Sequence, residues 1–304
     1  MKRIVVTGGT GFVGKRLVTA LLDEGHAVDV WTRDPQSAAL PTHNKLKVLR
    51  WEANGELPTL DGVDSIAHLA AYLPADYSDS SQAAACLKVN ALGTLALLEA
   101  AEAAGVESLV YTSSGNIYAP GDHHADETSS LYPSWRAPYY LTSKLAGEVY
   151  VDHCGRAGKL RTAILRPSAI YGPGMKGGVV EIFARRLAAG EPVTLNNGGT
   201  HAVDLVYVDD VVAAIKAALT RDVSGAYNVG GGRRVTVREI AETLRELLDA
   251  PRELLIIQPV HDESTAGFAG LIVERARDEL DYRPRPLEEG LSAYVETLAQ
   301  TVGS

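Results

Sequence analysis

Tyr140 and Lys144 stand four residues apart in the segment PYYLTSKLAGEVYVDH, a spacing that puts a phenol and an ammonium on one face of a helix. Tyr139 is five residues from the lysine and points away from it, so helical geometry selects Tyr140. A free phenol titrates near about 10, too high for a base at neutral pH, but a neighbouring cation favours its ionised form. Such a pair can take a proton from an alcohol or give one to a carbonyl. Alone, it is equally an ordinary contact on a helix surface. Ser113, Ser114, Gly115 and Asn116 turn the reading toward chemistry: they follow the apolar run 108–112, where a hydroxyl can hydrogen-bond a reacting oxygen.

A second constellation opens the chain. The apolar run Arg3 to Thr7 leads into Gly8, Gly9, Thr10, Gly11, Phe12, Val13 and Gly14, followed by helical periodicity through Leu22. Glycines at this spacing, between a strand and a helix, allow a sharp turn, close approach of backbone amides to a diphosphate, and tight helix–strand packing. A second strand over Ala27 to Thr32 completes the expected dinucleotide-binding unit. It ends in Thr32 and Arg33 rather than in a carboxylate for the adenosine ribose. Arg33 can pair with a 2'-phosphate, which favours NADP(H) over NAD(H); the plainer alternative is a surface charge paired with Asp34.

These residues must be held by a regular frame. Short β-branched runs (IVVTG, AVDVWT, KLKVLRW, SIAHLAA, SLVYTSS, RTAILRP and GAYNVG) alternate with helical segments rich in alanine and leucine. That alternation predicts an α/β fold: a Rossmann-type doubly wound parallel sheet with helices on both faces. Beyond Pro167 the pattern loosens, with Gly172, Pro173, Gly174, Gly177 and Gly178 close together, an apolar helix from about Val179 to Ala189, a strand at Ala226 to Val229 and a helix at Thr236 to Leu248. The expected organisation is a dinucleotide-binding domain over 1–168 and about 204–230. A smaller, discontinuous substrate lobe takes about 169–203 and 231–304.

Composition narrows the function. The 304 residues are 46% hydrophobic and carry a net charge of −9 without a basic cluster, which argues against nucleic acid as a partner. Cys86 and Cys154, each in a predicted helix, are expected to be packed thiols, and the short apolar start is no signal segment or membrane span. A cytoplasmic enzyme of small molecules is the expectation. Asp122, His123, His124, Asp126 and Glu127 look metal-like, but adjacent histidines lack the helical ligand spacing of a zinc enzyme, so no metal is expected. No G-x-S-x-G turn is present to make Ser114 a hydrolase nucleophile. Tyr132 and Trp135 are candidates for an apolar wall or a packed pair, and Asp209 and Asp210 for the positive end of a helix.

In order along the chain, TGGTGFVG (7–14), DSIAHLAA (64–71), NALGTLALLEAA (90–101), YTSSGNIYA (111–119), YLTSK (140–144), LRPSAIYGPG (165–174) and YVDDVVAAI (207–215) resemble the extended short-chain dehydrogenase/reductase superfamily. This branch holds nucleotide-sugar epimerases, dehydratases and sugar ketoreductases. The resemblance spans nearly the whole chain. It implies Ser114 as the hydroxyl that positions the substrate oxygen, with Ser113 as runner-up, Tyr140 as acid/base, and Lys144 as its electrostatic partner and ribose anchor. It places Ala70, Pro167 and Ser168 beside the cofactor and gives Asn90 a supporting role, although a helix-starting cap would also account for an asparagine there. It further suggests a homodimer built on helices around 90–104 and 140–153.

Two departures bear on substrate. Ala169 and Val203 stand where many nucleotide-sugar members carry an asparagine and an arginine for the substrate diphosphate, and His201, Arg185 or Arg186 are the candidates to compensate. The leading expectation is therefore an NADP(H)-dependent oxidoreductase, a ketoreductase or alcohol dehydrogenase acting on a sugar-like or other secondary alcohol or ketone. The alternatives are a nucleotide-sugar epimerase or dehydratase with tightly bound NAD, and a non-catalytic dinucleotide sensor.

Overall fold

The computed structural model describes residues 1–302 apart from 54, 122, 123, 134, 135, 159 and 262–269. In chain order the first half contains β1 (Arg3–Thr7), α1 (Phe12–Asp23), β2 (Ala27–Thr32), β3 (Leu46–Arg50) and β4 (Ser65–His68). It continues with α2 (Ala83–Cys86), α3 (Gly93–Ala104), β5 (Ser108–Thr112), α4 (Pro138–Ala157) and β6 (Arg161–Pro167). The second half holds β7 (Ala169–Tyr171), α5 (Val179–Ala188), β8 (Val193–Leu195), β9 (Ala202–Val203), β10 (Leu205–Tyr207), α6 (Val208–Thr220) and β11 (Gly225–Val229). It ends with β12 (Val235–Thr236), α7 (Val237–Leu247), β13 (Leu255–Ile257), α8 (Glu274–Leu280) and α9 (Leu287–Val302).

Seven strands form one sheet in the order β11-β6-β5-β4-β1-β2-β3, and every pairing is parallel. The central strands read as continuous apolar runs because both faces are covered: Ile4, Val5 and Val6 are all fully buried. The order in which the strands are added reverses between β1 and β4, and the crevice outside the carboxyl ends of these strands is where such sheets bind ligands. The predicted Rossmann architecture is what forms; β11 pairs with β6 and α6 packs on the sheet.

The second half adds three two-stranded pairings, β10 with β7, β12 with β9 and β13 with β8. Their strands are two or three residues long, too short for periodicity to announce them. A separate apolar cluster forms around Val180, Leu187, Leu195, Ile240, Leu244 and Leu291. Leu271, Val273, Ala276, Leu280 and Tyr282, which the sequence reading assigns to the smaller lobe, pack with the sheet's own cluster rather than with this second one. The segment is bound there by the Tyr282 hydroxyl donating to the Gly230 carbonyl at 2.9 Å.

Residues 80–104 run as one helical stretch through α2, a π turn over Leu87–Leu92 and α3. By length and composition it would pass as a membrane span, but Cys86, Asn90, Ala91, Leu97, Leu98 and Ala101 are buried against the fold. Cys86 and Cys154 are buried and form no disulfide with a described residue, and the Cys154 thiol donates to Glu102 Oε1 at 3.3 Å. Trp135, Asp122 and His123 lie outside the described residues, and Tyr132 is exposed rather than part of a wall. Among the described residues no histidine, cysteine and carboxylate cluster could hold a metal.

A buried polar relay ties β1, β4 and the 80–104 stretch together. The Ala70 amide donates to Thr7 Oγ1 at 3.2 Å, Thr7 Oγ1 meets His68 Nδ1 at 2.6 Å, and His68 Nε2 meets Thr94 Oγ1 at 3.0 Å. Thr94 spends its own hydrogen on the Asn90 carbonyl, so His68 Nε2 must be the donor and Nδ1 the acceptor. A second ring proton would face the Thr7 hydroxyl hydrogen. Burial first, and the Lys144 charge second, depress the His68 pKa from 6.5 to about 3. The unfolded chain therefore takes up a proton that the folded chain refuses, and the stability tied to neutral His68 is whole above 6.5 and lost as pH falls toward 3. Lowering the pH from about 8 to about 5 should cost the wild type about 2 kcal/mol more than it costs His68→Gln. Urea unfolding of both proteins at the two pH values measures this, and parallel losses would contradict it.

Candidate functional site

The glycine turn forms as its spacing demands. Gly8 takes a positive φ of 71°, and a Cβ on it would lie 2.7 Å from the Ala70 amide nitrogen. A Cβ on Gly14 would lie 2.2 Å from the Gly8 carbonyl oxygen, so helix and turn touch backbone to backbone. Gly11 is the N-cap of α1 in extended conformation, with no side chain capping it and no acidic residue in the first turn. The leading amides of α1, from Phe12, Val13 and Gly14, thus remain available at the positive end of the helix, which suits a dinucleotide diphosphate. The side chains of Phe12 and Val13 turn away into the second apolar cluster. At the end of β2, Thr32 Oγ1 lies 3.4 Å from Thr10 Oγ1. Arg33 is exposed and forms no ion pair with any described residue, while the Asp34 carboxylate accepts the amides of Gln36 and Ser37. The expected alternative of an Arg33–Asp34 surface pair is therefore not what forms.

The catalytic candidates sit on helix α4, on the turn after β5 and in the π turn before α3. Helix α4 carries Tyr140 and Lys144 one turn apart. Lys144 is 1% exposed, its Nζ lies 4.1 Å from the centroid of the Tyr111 ring, and it donates no hydrogen bond to any described residue. Burial lowers its pKa to about 7, against the pull of Glu148 in the other direction. Tyr140 is partly buried, and its ring lies edge-on to Tyr77 at 5.6 Å. Burial, and then the proximity of Tyr77 and Cys86, push its pKa well above the ordinary phenol value. In the protein alone, desolvation sets the direction of the shift.

Ser114 follows β5, where its Oγ accepts the Asn116 amide at 3.2 Å, and the turn Gly115–Ile117 packs against α4. The Ser113 Oγ is buried without a hydrogen-bond partner among the described residues, so the runner-up keeps an unmet demand there. Gly115 brings this turn against β6, since a Cβ there would lie 3.2 Å from the Pro167 carbonyl. The Ser168 hydroxyl donates to Asp204 Oδ1 at 3.1 Å. The same Asp204 carboxylate accepts the amides of Gly231 and Leu271, both at 2.7 Å, while burial raises its pKa to about 6.

Asn90 is no helix cap. It lies inside the π turn, where Oδ1 accepts the Tyr72 amide at 2.7 Å and Nδ2 donates to the Tyr72 carbonyl and to Ser143 Oγ. Ser143 in turn donates to the Tyr140 carbonyl at 2.6 Å, so Asn90 joins the loop after β4 to the helix of the acid/base candidate.

On the substrate side, Ala169 is exposed beside a small cavity of about 90 Å³, lined chiefly by Ile170, Met175, Val179, Leu205 and Tyr294. Of the compensating cations considered, Arg185 and Arg186 lie near Glu181 and Glu191. His201 instead shares its surroundings with Arg136 and Arg234, two cations absent from the sequence reading. Burial and then those two charges lower its pKa. Arg234 precedes Val235, the pairing partner of Val203, so a positive charge missing at 203 reappears beside the neighbouring strand.

Fold and site together define an enzyme of the extended short-chain dehydrogenase/reductase type. The model of the NAD dependent epimerase/dehydratase family matches residues 4–230, and the chain belongs to that family. It is 32% identical to UDP-glucose 4-epimerase of Mycolicibacterium smegmatis, with 97% of each chain covered. It is 37% identical to a 3 beta-hydroxysteroid dehydrogenase/Delta 5-->4-isomerase of Mycobacterium tuberculosis, over 57% of this chain and 48% of that one. Among solved structures it is similar to the UDP-glucose 4-epimerase of Thermus thermophilus in complex with NAD, with a TM-score of 0.78, 29% identity, and 98% of this chain and 99% of the other covered.

The glycine turn gives a direct check. Every atom crowding a Cβ at Gly14 is backbone and cannot rotate aside, whereas a Cβ at Gly11 meets only the Gly8 oxygen at 3.2 Å. Gly14→Ala should lose about 1–3 kcal/mol of stability and at least about tenfold in dinucleotide affinity, with Gly11→Ala milder in stability. Urea unfolding and NAD titration of the two variants measure it, and a Gly14→Ala protein indistinguishable from wild type would contradict it.

Proposed function

We propose that the chain is an epimerase-type enzyme that oxidises a secondary hydroxyl of a nucleotide sugar and then reduces the same carbon, with NAD(H) retained throughout. The observation that carries the reading is the stripe of Tyr140 and buried Lys144 on α4, with the lysine ammonium over the Tyr111 ring of β5. Bound NAD supplies the acceptor, and in the return half the donor, of hydride. The rest falls to side chains. Tyr140 takes the hydroxyl proton in one half-reaction and gives it back in the other. Ser114 exchanges its contact with Asn116 for a hydrogen bond to the substrate oxygen. Lys144 directs its unused donors to the dinucleotide ribose and its charge to the phenol. Gly8, Gly11 and the amides of Phe12, Val13 and Gly14 cradle the dinucleotide diphosphate, with Thr32 and Arg33 at the adenosine end and Ala70, Pro167 and Ser168 beside the nicotinamide. Asn90 positions α4 through Ser143.

The names of the relatives support a nucleotide-sugar substrate more than net NADP-dependent ketoreduction. The positive surroundings of His201, Arg136 and Arg234 suit a substrate diphosphate. Arg33 and the apolar residues Ala169 and Val203 favour a second reading, net oxidation or reduction of a secondary alcohol or ketone with NADP(H). We infer the same two-part organisation as before, with 271–282 moved to the dinucleotide-binding domain. A homodimer through the 80–104 stretch and α4 is supported by Leu87, Leu92 and Val149, which are 44%, 54% and 58% exposed. Light scattering at micromolar concentration should return twice the chain mass, and a monomer would remove that assembly.

Incubation with UDP-glucose should yield UDP-galactose without net change in nicotinamide absorbance. Tyr140→Phe should cut turnover by about 10²–10⁴-fold while still binding NAD. Stoichiometric consumption of NADPH with a ketone, and no epimer formed, would replace this reading with the second.

A further inference from the structure

Helix α4 continues its stripe one turn beyond Lys144 to Glu148, so phenol, ammonium and carboxylate follow at four-residue intervals. Glu148 is 3% exposed and meets a cation equally buried, Arg166 at 5%. The contact is two-pronged: Arg166 Nη2 donates to Glu148 Oε2 at 2.8 Å, and Arg166 Nε lies 3.1 and 3.3 Å from the two carboxylate oxygens. Arg166 is itself fixed, donating from Nη1 to the Tyr118 hydroxyl at 2.8 Å, and that hydroxyl donates to Asn228 Oδ1 at 2.7 Å. It also immediately precedes Pro167 and Ser168 at the end of β6.

We propose that Glu148, locked by Arg166, is a positioning residue of the reaction that keeps Lys144 in its ammonium form and holds the catalytic helix against the strand end carrying Pro167 and Ser168.

The argument is one of charge in a dry place. A buried ammonium without hydrogen-bond acceptors is expensive, and a carboxylate one helical turn away offsets that cost. The other ionisable groups around Lys144 are Tyr111 on β5, His68 on β4 and Tyr140 on α4, all neutral near pH 7. Glu148 is the charge that pulls Lys144 toward protonation. Neutralising Glu148 would leave the buried ammonium without that pull, and desolvation would then drive the proton from Lys144. Lys144 would then lose its charge in the pH range where the enzyme needs it, although neither Tyr140 nor Lys144 had been altered.

The inference rests on the reading of Tyr140 and Lys144 as the acid–base pair, and its test separates the two. In ¹³Cε-lysine-labelled free protein, the Lys144 resonance, identified by its loss in Lys144→Met, should titrate near 7, and in Glu148→Gln at least one unit lower, a tenfold fall in ammonium at a fixed alkaline pH. The alkaline limb of kcat/KM should move the same way, with Glu148→Asp restoring part of the shift. If Glu148→Gln does not fold, the double variant Glu148→Met/Arg166→Met keeps the volume apolar and should still show a lowered Lys144 midpoint. A midpoint unmoved in the folded variants, with activity reduced equally at every pH, would overturn the proposal and leave the pair purely structural. Full turnover by Tyr140→Phe would instead overturn the acid–base reading beneath it.

Discussion

The structure depends on one contact made without side chains, the closure of Gly14 onto the Gly8 carbonyl. It sets the start of α1 directly on the end of β1, and with it the row of amides that can face a diphosphate. Because β1 lies where the strand order reverses, the same closure opens the crevice into which the ends of β4, β5 and β6 project their loops. The row of amides and the edge of the crevice are therefore one geometric consequence, and Ala70, against which Gly8 is pressed, borders the turn.

Around that crevice the protein buries polar groups in pairs and chains rather than singly. His68 is neutral between two threonines, Asp204 collects two amides and a hydroxyl, Glu148 faces Arg166, and Asn90 spans from Tyr72 to Ser143. Each group would be costly alone. Together they fix where the elements end relative to one another, which apolar packing cannot do with the same directionality. Lys144, with donors to spare among the described residues, and the hydroxyls of Thr112 and Ser113, unmet among them, are exceptions.

Much of this was legible in the chain. The glycine spacing, the apolar runs and the four-residue step from Tyr140 to Lys144 each reflect a local rule, so β1 through β6, α1 and α4 could be read from them. The rest depends on contacts remote in sequence. Nothing local to Asn90 reveals that it reaches Tyr72, or local to Asp204 that it gathers Gly231 and Leu271, and the short strands of the second half pair only because the chain returns. Arg136 and Arg234 escaped notice for the same reason: nearly a hundred residues separate them, and only the folded chain brings both to bear on His201. The upward shift of the Tyr140 pKa was not legible either, because a neighbouring charge can be counted in a sequence, whereas the removal of water cannot.

The π turn over Leu87–Leu92 gives the 80–104 stretch one residue more than a regular α-helix would need to cover the same path. That residue sets the phase between the two ends, so that Asn90 faces inward in step with Leu97 and Ala101 farther along. Deleting a single residue would restore an unbroken spiral and swing one end by about 100° relative to the other. The more regular helix would be the less useful one, its asparagine turned from the cleft toward solvent.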